Sequence, residues 1–112
     1  MTEFNRGEVV LVNFIFPDES GVKKRPSLII SSNAYNVSRG EVIVAAITSR
    51  TDRILVGDHL INNWQDTGLL FPSVATGIIR TIKQEMIARK LGVMTSEDIE
   101  EIDGKLRLIV GI

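Results

Sequence analysis

Two short stretches of this 112-residue chain carry side chains suited to chemistry on a phosphate. In the first, Lys23, Lys24 and Arg25 are successive cations, and Pro26 separates them from the apolar run Leu28, Ile29 and Ile30. Proline fixes its own φ, removes a backbone donor and pushes the residue before it toward an extended conformation. A guanidinium held at the mouth of a buried strand offers two fixed N–H donors to phosphate oxygens. In the second, Thr48, Ser49 and Arg50 follow directly on the nearly all-apolar residues 41–47, and Arg53 comes soon after. A hydroxyl there would add a third donor. RNA brings its own nucleophile, the 2′-hydroxyl, so cleavage needs in-line positioning and stabilisation of the charge that builds on phosphorus, and no metal. On these residues alone a solvated basic loop and ordinary turn hydroxyls account for the pattern equally simply, and the plainer assignment is favoured.

Other chemistries are excluded or unsupported. There is no cysteine, which removes disulfides, thiolate metal sites and a cysteine nucleophile. His59 is the only histidine, so a two-histidine acid–base pair within the chain is ruled out, and a lone histidine is read as a surface or capping residue. Glycine-rich phosphate loops are absent. No ligand spacing recommends a metal site, and no cofactor is expected. Glu97, Asp98, Glu100, Glu101 and Asp103 crowd into the last segment and read as a solvated helix face. The formal net charge is −1, not the basic balance of a duplex DNA binder. The cations lie mostly before that acidic segment, so a local basic surface survives if the acidic helix faces away. With no signal-peptide pattern and no membrane-length apolar run, a cytoplasmic protein without membrane association is expected.

The elements that must position these residues read as mainly β. Length and the absence of repeats or linkers predict one domain over 1–112. Residues 9–15 are rich in branched and aromatic side chains and form a first strand, closed by the turn chemistry of 17–21. A long polar loop then runs through the lysines to Arg25, and a second strand covers 27–31. Residues 33–40 are irregular or a single helical turn, and a third strand spans 41–47. A short strand near 59–61 and a turn over 62–68 follow, with Trp64 as a core anchor or interface residue. The proline at 72 predicts an edge strand through 76, a bend at Gly77 and a separate strand over 78–82. A short helix is expected at 84–90. The terminal helix has Thr95 as its N-cap and an apolar stripe of Ile99, Ile102, Leu106 and Ile109 for core or dimer contact. Five or six short strands and one helix suggest a small, strongly bent antiparallel sheet or partial barrel. If the second and third strands are antiparallel neighbours, Arg25 and Thr48 are expected at opposite ends; a parallel or strongly bent arrangement would bring them together.

Several motifs in order along the chain resemble the MazF/PemK family of toxin endoribonucleases. They are Arg6-Gly7-Glu8-Val9-Val10, Lys24-Arg25-Pro26-Ser27-Leu28-Ile29-Ile30, Val42 to Ser49, Gly68 to Val74, Arg80-Thr81-Ile82 and Lys90-Leu91-Gly92. The resemblance implies an SH3-like barrel, a homodimer, a cognate antitoxin and metal-independent cleavage of single-stranded RNA to 2′,3′-cyclic phosphate and 5′-hydroxyl ends. It puts the catalytic residues on Arg25 and Thr48, with Arg25 stabilising the phosphate and taking part in proton transfer, Thr48 holding a phosphate oxygen and Ser49 as an auxiliary hydroxyl. It also implies that the two sites converge. Charge and position add Lys23, Lys24, Arg50 and Arg53 as residues flanking the RNA. Residues 75–79 lack the acidic or amide side chain often found before the Arg-Thr-Ile segment in relatives. A protein of the same fold without catalysis, like the gyrase-poisoning CcdB toxins, is the alternative.

Overall fold

The computed structural model describes residues 3–15 and 21–112. The turn expected at 17–21 lies almost wholly outside them. One sheet of six strands dominates the fold, in the order β4-β5-β3-β2-β1-β6, and every pairing is antiparallel. The strands are β1 (Glu8–Ile15), β2 (Val22–Ile29), β3 (Glu41–Thr48), β4 (His59–Leu60), β5 (Val74–Lys83) and β6 (Ile87–Val93). Helix α1 (Asn33–Arg39) joins β2 to β3, and helix α2 (Ser96–Val110) ends the chain. The mainly β reading, with a bent antiparallel sheet and a C-terminal helix, describes this architecture.

Side-chain alternation explains why the middle of the sheet is buried on both faces. Val9 and Leu28 enter one core with Ile47, Ile61, Leu69, Ala75, Met94 and Ile102. The neighbouring residues Val10, Val12 and Ile29 enter a second core with Val42, Val44 and Ile82. Each such aliphatic side chain contributes roughly 1.5–3 kcal/mol of burial. Helix α2 covers the first core. Thr95 caps it, its Oγ1 accepting the Asp98 N–H, and Ile102 is buried while Ile99 and Leu106 pack alongside. Ile109, the last residue of the expected stripe, is 36% exposed.

Four elements differ from the sequence reading. Strand β2 begins at Val22 and pairs with β1 as far as Ile15, so Lys23, Lys24 and Arg25 sit on a strand and not on a long loop. Residues 74–83 form one strand between β4 and β3; Val74 and Ala75, in the part expected at an edge, are paired on both sides. Gly77 is accommodated within it near a register irregularity opposite Ala45 and Ile47. Residues 84–86 make one 3₁₀ turn and β6 replaces the expected helix, because β1 offers a partner that local propensity does not register. Residues 33–39 form a full short helix, ended by Gly40 with φ 66°.

Candidate functional site: a cleft where two strands part

Strands β2 and β3 pair at Ile29–Val44, Leu28–Ala45 and Ser27–Ala46, and there the pairing stops. The next residue of β2 is Pro26, which has no N–H to donate. Continuing the same register brings Arg25 level with Thr48. Antiparallel pairing sets the start of one strand beside the end of its neighbour, so the two residues share an end. The expectation that antiparallel neighbours would separate them was a geometric error, and the structure corrects it.

Beyond the last pair lies an open cleft of about 940 Å³. Arg25, Pro26, Ala46, Ile47, Thr48 and Ser49 line it from the two parting strands. Leu11 and Phe14 of β1, Arg89 and Leu91 of β6, and the segment Gly68–Phe71 with Ser73 complete it. Arg25 is exposed and, among the described residues, has no hydrogen-bond or ion-pair partner. Thr48 is half-buried, and its Oγ1 accepts the Arg50 backbone N–H at 3.1 Å. That bond fixes the oxygen and leaves the hydroxyl proton available for an incoming acceptor. Ser49 is exposed in the same cleft. An exposed cation, an oriented hydroxyl donor and an apolar floor make a fitting receptor for a phosphodiester and its bases.

The remaining predicted residues lie outside the cleft lining. Lys23 and Lys24 are exposed on β2, opposite Phe14 and Asn13 of β1. Arg50 is tied to Asp52 at 2.9 Å, with both side chains well exposed. Arg53 is exposed on the loop after β3. Two cleft residues escaped the sequence reading. Arg89 was hidden by the helix expected at 84–90, and Phe71 was read only as a lead-in to a strand. Arg80, on β5, stacks over the Phe14 ring at 5.0 Å, which keeps a further cation beside the cleft.

Two glycines set the back of the cleft. A Cβ at Gly68, where φ is 82°, would meet the Leu91 carbonyl, and a Cβ at Gly92 would meet the Thr67 carbonyl. The 3₁₀ turn Trp64–Thr67 and strand β6 therefore touch backbone to backbone, which fixes where the segment from Gly68 leaves β6.

A second polar cluster lies behind that turn. His59 and Asp98, read as a surface or capping histidine and a solvated carboxylate, are both buried. Asp98 is fully enclosed; it accepts from His59 Nε2 at 2.8 Å and from the backbone N–H groups of Asn62 and Asn63 at 2.9 Å each. Burial alone would push the Asp98 carboxyl up, but the His59 bond and the two amides outweigh it and hold the group below its ordinary value. A carboxylate can only accept, so Nε2 carries the shared proton. Glu8, buried at the start of β1, is likewise held low: Asn5 and Lys90 outweigh the cost of burial, with Lys90 Nζ at 2.9 Å. Among the described residues no group of three or more His, Cys, Asp or Glu is placed to hold a metal ion.

The fold is a six-stranded antiparallel sheet with a C-terminal helix and, at one strand end, a cleft lined by Arg25 and Arg89. Residues 5–110 match the family described as PemK-like, MazF-like toxins of type II toxin–antitoxin systems, and the chain belongs to that family. Among solved structures it is similar to MazF in a MazE–MazF crystal from Deinococcus radiodurans, with a TM-score of 0.84 at 20% identity over 100% of this chain and 99% of that one. It is also similar to an endoribonuclease in complex with its cognate antitoxin from a mycobacterial species, with a TM-score of 0.77 at 23% identity over 97% of this chain and 96% of that one. No curated protein sequence is significantly similar to this chain. No helix among the described residues is long and apolar enough to cross a membrane.

Proposed function

We propose that this protein is a cytoplasmic, sequence-selective endoribonuclease toxin that cleaves single-stranded RNA in the cleft between β2 and β3. The observation that carries this reading is the meeting of Arg25 and Thr48 at one end of the sheet, the guanidinium unpaired among the described residues and the hydroxyl oriented by the Arg50 amide. In the reaction the 2′-oxygen attacks the adjacent phosphorus, the P–O5′ bond breaks, and the 2′-proton is balanced by one delivered to the leaving 5′-oxygen. The products are a 2′,3′-cyclic phosphate and a 5′-hydroxyl. Arg25 stabilises the charge on the equatorial oxygens and takes part in the proton transfer. Thr48 donates to one of those oxygens, with Ser49 beside it. These roles need no metal and no cofactor. Lys23, Lys24, Arg50 and Arg53 flank the strand and act through long-range attraction.

Family membership supports a cognate antitoxin as partner, and a solved relative is in complex with its own. A homodimer is supported by the exposed apolar residues at the end of α2, Leu108, Val110 and Ile112, together with Ile78 of β5 and Val56. The test is incubation of the antitoxin-free protein with long single-stranded RNA in excess EDTA, followed by analysis of the fragment ends. Discrete fragments with 5′-hydroxyl ends are expected. Intact RNA across varied sequences, together with binding to gyrase, would overturn the enzyme reading in favour of a toxin that acts on a protein target.

A further inference from the structure

Phe71 and Leu70 are large apolar side chains that the fold leaves in water, 62% and 82% exposed, inside the same cleft as Arg25. Loop tips often expose such groups because they are loose; this one is held. Ser73 is buried, its Oγ donates to the Phe71 carbonyl at 2.8 Å, and its own carbonyl accepts the Ile61 N–H at 3.0 Å. Pro72 restricts the Phe71 backbone from the other side. The glycine contacts at Gly68 and Gly92 hold the start of the segment against β6. An aromatic ring is thus presented to solvent by a fixed backbone, an arrangement that costs hydrophobic burial and suits a ligand with a flat apolar face.

Arg89 stands beside it. Leu11 of β1 faces Pro26 on one side and Arg89 on the other. Arg89 and Pro26 are therefore two strand spacings apart, about 10 Å. With that offset between the two positions, Arg89 is placed to reach a neighbouring phosphate of the same extended strand. Like Arg25, it is exposed and has no partner among the described residues.

We infer that the β6 side of the cleft is a base-binding subsite, in which Phe71 stacks on an unpaired base next to the scissile phosphate while Arg89 binds that nucleotide's outer phosphate. The inference rests on the endoribonuclease reading above and gives it a source of sequence selectivity outside residues 75–79. Stacking on an aromatic is tolerant of base identity in itself. Selectivity arises because Leu70 and Leu91 bound the space around the ring and limit which bases enter.

The test compares wild type with Phe71→Ala, Phe71→Tyr and Arg89→Ala on one long single-stranded RNA, mapping every cut and measuring KM and kcat at the preferred site. Exposure of both side chains predicts unchanged urea midpoints in all three variants. Phe71→Ala is expected to raise KM roughly 5- to 150-fold and to redistribute the cuts, whereas Phe71→Tyr restores both. Arg89→Ala is expected to weaken all sites alike and to lower the salt dependence of binding by about 0.7 of a log unit per log unit of salt. An unchanged cut map and KM in Phe71→Ala, while wild type cleaves, overturns the subsite and leaves the enzyme reading standing. Unchanged cleavage with lost inhibition by the cognate antitoxin would assign the ring to a protein partner and also overturn it. No cleavage by wild type removes the reading on which the inference rests.

Discussion

Arg25 with Thr48 and His59 with Asp98 are built from similar groups, a cationic or basic side chain beside an oxygen, yet the fold treats them in opposite ways. Asp98 is enclosed and its oxygens accept from His59 and two backbone amides. Arg25 is exposed and unpaired among the described residues, and Thr48 keeps its hydroxyl proton uncommitted. A polar cluster whose bonds are all satisfied from within spends its interactions on holding segments together, here the 3₁₀ turn, β4 and the start of α2. A cluster left unsatisfied at a cleft keeps its interactions for something that arrives. Pairing, more than residue type, separates the two roles.

The comparison breaks first at Asp98. Asp98→Ala strips the acceptor from His59 and from the amides of Asn62 and Asn63, and a loss of about 3–5 kcal/mol in urea unfolding is expected. Asp98 lies outside the cleft lining, so cleavage should fall only as far as the folded fraction does. A cleavage loss far beyond that would make Asp98 part of the reaction.

Thr48→Val is the converse. It keeps the shape and removes the donor, and a fall in cleavage of about 10- to 100-fold is expected at an unchanged urea midpoint. If the midpoint falls instead, Thr48 belongs with the structural cluster. Acidification sharpens the contrast further. Asp98 is held below its ordinary value in the folded chain, so its contribution is fully present above the unfolded carboxylate value of about 3.9 and is lost as pH falls through the folded value. Unfolding midpoints of wild type and Asp98→Asn measured over a pH series should therefore converge below about pH 4. A gap that stays constant would show that the carboxylate's charge does not matter. The smallest effect is expected at Arg53→Ala. The residue lies on an exposed loop outside the cleft lining, and cleavage at moderate salt should change by less than about threefold, with stability within about 0.5 kcal/mol.

How much of this was legible in the sequence follows the same division. The apolar runs at 9–12, 28–30 and 42–47 announce strands because Val9, Leu28 and Ile47 enter one core and Val10, Ile29 and Val42 the other, and the Thr95 cap announces α2. The family motifs point to Arg25 and Thr48. What brings these two together is antiparallel pairing, which sets the start of β2 beside the end of β3, and neither segment shows that by itself. His59 and Asp98 are 39 positions apart, and nothing local links them. Their burial exists only once β4 meets α2. A helical reading of β6 arises because Met86, Ile87 and Leu91 fit either period, and what decides is the β1 backbone far away in sequence. That misreading hid Arg89. Gly92 was a usable signal, since a glycine within a strand often marks a close backbone approach.

The most direct measurement is the cleavage rate of Arg25→Ala on single-stranded RNA in excess EDTA, set against its urea midpoint. A loss of at least about 100-fold at a midpoint within about 0.5 kcal/mol of wild type is expected, because Arg25 holds nothing in the described fold and is the cation proposed to stabilise the charge on the phosphate. Cleavage at the wild-type rate by the folded variant would contradict the account, since the cleft's one guanidinium beside Thr48 would then have no part in the chemistry.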